Sequence, residues 1–313
     1  MYVASIAILL WTLRDADFAR LLDDVEHLNP LWIAAGALAM VGVFFVQGLR
    51  WKLILTPVAK LPWLAATRAV FVGLFASEVT PIRAGELVRC YLVHRWTQLP
   101  LSVAIASVVL ERLFDGILMW VALRYTLSEL NVPRLALAAD GLGVAVGIGV
   151  VVLGAALFRP KLKHAEMPKD GWRRRWFILQ EDLALIGHSW YLWAALAATA
   201  VSLLLQVVPV YVLYHEYDLG LGFGPALGLM MLIRVAAALP QAPASVGFFQ
   251  GVTREFLELG FAVPADKAAR FSLLLWALIK LPVLVSGALA TFITGAKISE
   301  LTKAAGEAQK SSS

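Results

Sequence analysis

The sequence predicts an all-α integral membrane protein, and three observations lead there. First, 60% of its 313 residues are apolar and 16% charged, whereas soluble domains run at about 45–50% and 25%. A soluble globular enzyme is thereby excluded. Second, residues 31–49, 141–158, 190–214 and 235–253 carry no charge, and each comes close to the roughly 20 residues that cross a bilayer. Third, the net charge of +5 is concentrated in the short segment 159–175 between two apolar stretches. That placement is a topology signal rather than a nucleic-acid surface.

The elements follow in order. Residues 1–13 are apolar but lack the basic start and cleavage site of a signal peptide, so they read as a short first membrane segment, which leaves three readings: a tilted helix, one extended into 14–22, or a trimmed chain start. Segment 14–30 holds Asp15, Asp17, Asp23, Asp24 and Glu26, whereas Arg50, Trp51, Lys52 and Lys60 follow the next span. The positive-inside rule places the first loop outside and the second in the cytoplasm. From 63 to 96 the apolar pattern is broken by Glu78, Pro81, Arg83, Gly85, Glu86 and Arg89. This is too polar for a lipid-facing helix and reads as a hairpin that enters and leaves from the cytoplasm.

A span over 101–123 then crosses outward, carrying Glu111, Arg112 and Asp115, and 135–158 crosses back to deliver Arg159, Lys161, Lys163, Lys169 and Arg173 to Arg175. Residues 159–190 form a basic cytoplasmic loop and an interfacial helix, which leads into the span ending near Tyr214. Glu216 and Asp218 fall outside. A second interrupted segment, 225–260, contains Arg234, Pro240, Pro243 and Gly247, and a last span runs from about 268 to 294, before a cytoplasmic tail at 296–313. The membrane domain, 1–295, thus comprises about six spanning helices and two Pro/Gly-broken re-entrant hairpins, eight membrane segments in all. Its halves, about 1–127 and 135–294, share a segment order with opposite orientation, as in an inverted-topology repeat. Pro81-x-x-x-Gly85 in one hairpin echoes Pro243-x-x-x-Gly247 in the other. Both termini are expected in the cytoplasm.

Charges inside a bilayer cost about 2.5–3.5 kcal/mol each on insertion scales, so they face a cavity, a partner or a substrate. Spacing by three or four residues lets Arg83, Glu86 and Arg89, and Glu111, Arg112 and Asp115, meet along helices. They could simply lock the hairpin against the next span. Arg234 and Lys280, however, have few nearby acids in the sequence, and unpaired positive charge suits an anionic headgroup. Half-helices restarting after Pro81 and Pro243 would turn their N-termini toward a phosphate, with Ser245 as a hydroxyl donor. The candidate headgroup contacts are therefore Arg83, Glu86, Arg89, Arg112, Arg234, Ser245 and Lys280, supported by Glu78, Glu111 and Asp115. The candidate breaks are Pro81, Gly85, Pro240, Pro243 and Gly247. Cys90 stands alone, the five histidines are scattered, and neither metal nor other cofactor is expected. Tryptophans near span ends, Trp51, Trp63, Trp96, Trp172 and Trp176, read as an interfacial belt.

Arg50-Trp51-Lys52, Thr80-Pro81-x-Arg83-Ala84-Gly85-Glu86-x-x-Arg89-x-Tyr91 and Glu111-Arg112-x-x-Asp115, followed by Pro243-x-Ser245-x-Gly247-x-Phe249, resemble the lysylphosphatidylglycerol synthase transmembrane-region family, also called flippase-like. The resemblance implies movement of lipid between leaflets, and because no soluble aminoacyl-transfer domain accompanies the match, it implies no synthase activity. The expectation is a bacterial inner-membrane protein, not an enzyme, that translocates an anionic phospholipid or polyprenyl-phosphate-linked lipid by rocking of its halves. Its partners would be membrane lipids and lipid-biosynthesis enzymes, not nucleic acid. Two other readings remain: an enzyme acting on a lipid phosphate or glycolipid with Glu86 or Asp115 as general base, and a non-catalytic subunit of a lipid-modifying complex, for example in hopanoid synthesis.

Overall fold

The computed structural model describes residues 2–14, 16–79, 85–129, 133–157, 190–237 and 242–295. Pro81, Arg83, Pro240, nearly all of the 159–190 loop with its interfacial helix, and the 296–313 tail lie outside them. The described residues form eleven α-helices and one 3-10 turn, with no strand among them.

Helix α1, Tyr2–Leu13, ends where the apolar run ends. Of the readings offered for this segment, extension into 14–22 does not occur. Asp17 instead caps a separate helix, α2, Phe18–His27, its carboxylate accepting from the backbone N–H groups of Ala19 at 3.0 Å and Arg20 at 3.2 Å. Phe18, Leu22 and Val25 form an exposed apolar stripe on α2, the arrangement of a helix lying in the membrane interface. Asn29 caps α3, Pro30–Leu55, whose first residue is a proline that needs no N–H partner. Next come α4, Trp63–Val79, and α5, Gly85–Thr97. The long helices α6, Leu101–Glu129, and α7, Pro133–Leu157, complete the first part.

After the loop, α8 spans Trp190–Glu216 and α9 Phe223–Ala237. The turn Pro243–Ser245 leads into α10, Phe248–Phe261, and α11, Ala265–Thr294, closes the fold. Three helices, α3, α8 and α11, are long and apolar enough to cross a bilayer; α3 alone, with 26 residues, is about 39 Å long. The chain is a multi-pass membrane protein.

Packing centres on α3 and α8, the most extensive helix pair among the described residues. Around them α4 packs on α5 and α11, α9 packs on α10 and α6, α5 packs on α6, and α10 on α11. Helix α1 rests on α10, and α7 on α6. At one end, segments assigned to the outside converge. The backbone N–H of Asp17 donates to Asp266 at 2.9 Å, that of Asn29 to Glu216 at 2.7 Å, and the Tyr217 hydroxyl to Asp24 at 2.7 Å, while Arg270 pairs with Asp24. Burial, and then the Asp24 carboxylate, push the Tyr217 phenol above its ordinary pKa.

Candidate lipid-headgroup site

The site is assembled on α6. Glu111, Arg112 and Asp115 stand near its middle, where neighbouring helices must answer their charge. Helix α5 answers from one side, because it lies unusually close to α4: a Cβ added at Gly85 would stand 1.7 Å from the Gly73 carbonyl oxygen. Only hydrogen in that place lets the two backbones meet. Glu78 near the end of α4, and Glu86 and Arg89 at the start of α5, thereby face the same space.

Arg50 forms the hub. Its Nε donates to Glu111 at 3.2 Å, and its Nη1 to Asp115 at 2.5 Å. Glu111 is fully buried, and its second oxygen accepts from Arg89. The Arg89 guanidinium lies 4.8 Å from the Trp51 ring centroid, and the indole N–H donates to Ser107 at 2.8 Å. Arg112 pairs with Glu86 and reaches Asp115 at 3.5 Å. From the other part of the chain, Arg234 donates to Gln206 at 2.8 Å and stands 3.7 Å from Asp115. Lys280 donates to Glu78 at 2.6 Å.

These groups surround a cavity of about 250 Å³, lined by Gln47, Arg50, Glu78, Glu86, Arg89, Arg112, Asp115, Gln206 and Arg234 together with apolar and small residues of α4 and α5. Two buried polar atoms at it, Arg89 Nε and Glu78 Oε2, have no hydrogen-bond partner among the described residues. A larger cavity, about 710 Å³, lies between the α3–α4 and α5–α6 connections, with Lys60, Arg68 and Trp96 in its wall. Its lining includes no carboxylate and none of the clustered charges, which belong to the smaller cavity.

Of the residues singled out from sequence, Glu78, Glu86, Arg89, Arg112, Asp115 and Arg234 line the cavity, with Gly85 in its wall. Glu111 sits behind the wall and holds Arg50 and Arg89. Lys280 is one contact away, through Glu78. The expected isolation of Arg234 and Lys280 is corrected: helix packing brings Gln206 and Asp115 to the first and Glu78 to the second across long sequence separations. Ser245 does not line the cavity. It is buried in the 3-10 turn packed on α4. Pro243 opens that turn, and Gly247 beyond it caps the start of α10 at φ 90°, where a Cβ would stand 2.0 Å from the Ser5 carbonyl oxygen.

Three participants were missed from sequence. Arg50 and Trp51 read as a cytoplasmic and an interfacial residue, yet α3 continues past them and buries both. The apolar Leu53-Ile54-Leu55 beyond Lys52 was the available signal. Gln206 lay inside an uncharged stretch, and only its amide among apolar neighbours marked it.

The family model for the lysylphosphatidylglycerol synthase TM region matches residues 2–287. The chain belongs to this family. Among curated relatives, a "Glycosyltransferase AglD" from Haloferax volcanii is 30% identical over 118 residues, 37% of this chain and 18% of that protein. A "UPF0104 membrane protein" from Methanothermobacter thermautotrophicus is 29% identical over 104 residues, 33% of this chain and 30% of that protein. The matched segments thus span under a third of either relative. Within the lysylphosphatidylglycerol synthase TM region, Gly85-Glu86-x-x-Arg89 and Glu111-Arg112-x-x-Asp115 are the two runs that the fold brings together.

Proposed function

We propose that this protein carries an anionic lipid between the leaflets of the cell membrane, holding the phosphate of the headgroup in the charged cavity while the acyl or polyprenyl chains stay in the bilayer. The observation that carries the reading is the unbalanced charge of that cavity. Among the described residues at and just behind its wall, Arg50, Arg89, Arg112, Arg234 and Lys280 oppose Glu78, Glu86, Glu111 and Asp115, five positive groups against four negative, and a buried guanidinium N–H of Arg89 has no acceptor among those residues. A purely structural network would be expected to close on itself, because buried unpaired polar groups are costly. A monoanionic phosphodiester would supply both the missing charge and the missing acceptor.

We further read the helices as an inverted repeat in the bacterial inner membrane. Helices α3, α4, α5 and α6 correspond to α8, α9, α10 and α11. Packing supports the correspondence: α4 rests on α11 as α9 rests on α6, α5 on α6 as α10 on α11, and α3 pairs with its own counterpart. Helices α1 and α7 depart from it. Helices α4, α5, α9 and α10 have 17, 13, 15 and 14 residues, about 20–26 Å, short of the roughly 30 Å hydrocarbon core and suited to re-entrant hairpins. Rocking of one half against the other would then expose the cavity to each side in turn, a carrier's cycle rather than an enzyme's.

The test is reconstitution of the full chain in vesicles carrying a fluorescent phosphatidylglycerol or a polyprenyl-phosphate lipid, with transbilayer movement read by chemical quenching of the outer leaflet. Protein-dependent movement is expected, slowed about tenfold by Arg112→Ala through loss of one charge-assisted contact to phosphate. Arg112 is half exposed, so this variant should fold. Absence of movement with every anionic lipid would sink the proposal, and a chemically altered lipid product would turn it into an enzyme.

A further inference from the structure

We propose that the larger cavity, the groove between the α3–α4 and α5–α6 connections, is a second anion site, which holds the phosphate headgroup of a phospholipid at the membrane surface. It is separate from the charged cavity on α6 and does not depend on transport. The groove has a volume of about 710 Å³, and its wall carries Lys60 and Arg68 but no carboxylate. Neither cation has an ion-pair partner among the described residues. The arginines of the other cavity differ, since Arg50, Arg89, Arg112 and Arg234 each face an acid. Two positive charges in one wall with no counter-charge attract an anion. The Arg68 guanidinium lies 5.9 Å from the Trp96 ring centroid, a cation–π contact that restrains the side chain without neutralising it.

The depth of the groove selects its occupant. Trp63 opens α4 and Trp96 stands at the end of α5, both exposed, in the place where amphipathic rings sit at headgroup level. From there the two helices run inward: Glu78 lies about 15 Å along α4 from Arg68, and Arg89 about 10 Å along α5 from Trp96. One hairpin thus presents two levels of positive charge, a surface level and an interior level. Val58, Leu61, Ala65 and Leu99 make up much of the remaining wall, and Leu64 next to them is exposed. A free phosphate gains nothing from these apolar groups. A phospholipid gains from both kinds of surface, because its phosphate meets the fork of Arg68 and the ammonium of Lys60 while its apolar part covers the wall.

Native mass spectrometry of the full chain in detergent, titrated with dioleoyl phosphatidylglycerol, counts the bound lipids and gives their affinities. The paired substitutions Lys60→Gln and Arg68→Gln are expected to weaken one bound phosphatidylglycerol by about tenfold or more, as loss of charge-assisted contacts does. Both side chains are exposed, so the variant should fold. Arg95→Gln removes an exposed charge of α5 that does not line the groove, and it should leave binding unchanged. Unchanged binding in the paired variant overturns the site. So does an equal loss in Arg95→Gln, which would mean diffuse surface charge, or equal retention of dioleoyl phosphatidylcholine, which would mean a grip on lipid chains alone. Displacement of the lipid by millimolar inorganic phosphate would make this a site for the free anion and overturn the lipid assignment. Loss in the paired variant with no loss in Arg112→Ala would leave the groove standing and count against the headgroup reading of the other cavity.

Discussion

Arg50 shows how one residue ties the site to the fold. It stands between Glu111 and Asp115, and Glu111 stands in turn between Arg50 and Arg89, so neutralising Glu111 strips the buried Arg89 of its ion pair among the described residues and leaves Arg50 with Asp115 alone. Removing one partner of a buried pair costs about 3–5 kcal/mol, against about 0–1 kcal/mol for an exposed one. Glu111→Gln is therefore expected to lower the melting temperature in detergent sharply, and Glu86→Gln, at the exposed pair with Arg112, to leave it nearly unchanged. Equal effects would mean that the buried network is not what holds α3, α5 and α6 together. The acidic half of this network was legible in the sequence, because Glu111 and Asp115 interrupt an apolar span. Arg50 was not, because an Arg-Trp-Lys run after an apolar stretch has the composition of a cytoplasmic helix end, and only packing distinguishes the two. The pairing of Lys280 with Glu78 was invisible for a different reason: their contact depends on how α4 meets α11, which no local pattern encodes.

At the scale of elements, α4 and α5 are separate helices, as are α9 and α10, and the proline and glycine near each junction were the sequence signal for it, Pro81 and Pro240 lying outside the described residues. What the sequence did not disclose is why those glycines are needed. Gly85 is set by contact with the Gly73 carbonyl, and Gly247 by its positive φ together with the Ser5 carbonyl. Gly85→Ala is expected to force α4 and α5 apart and cost about 3 kcal/mol or more, as overpacking of a tight contact does. The control is Gly141→Ala on α7, where an added Cβ meets nothing within 4 Å and helix propensity favours alanine by up to about 1 kcal/mol. Thermal unfolding of both variants in the same detergent checks the contrast. A harmless Gly85→Ala would mean that α5 can slide on α4 and that the cavity wall is not fixed there.

For the whole molecule, the question is whether the contact between α4 and α11 must open for the cavity to change sides. These helices belong to different halves in the proposed repeat, and they carry Glu78 and Lys280, so the polar link and the apolar seam coincide. Along the seam, a Cβ built on Gly287 lies 2.7 Å from that of Phe75, closer than the about 3.5–4.5 Å of a relaxed disulfide, so parting the helices by about 1 Å would admit one. Paired substitutions Phe75→Cys and Gly287→Cys are expected to transport lipid when reduced, to stop when oxidised, and to recover with reductant. The native Cys90 is buried in α5, so Cys90→Ser in the same background serves as the control. Undiminished transport by the cross-linked protein would exclude rocking about the α4–α11 contact and place the moving part within one half, where the cavity would have to open laterally between α5 and α6, past the exposed Glu86–Arg112 pair.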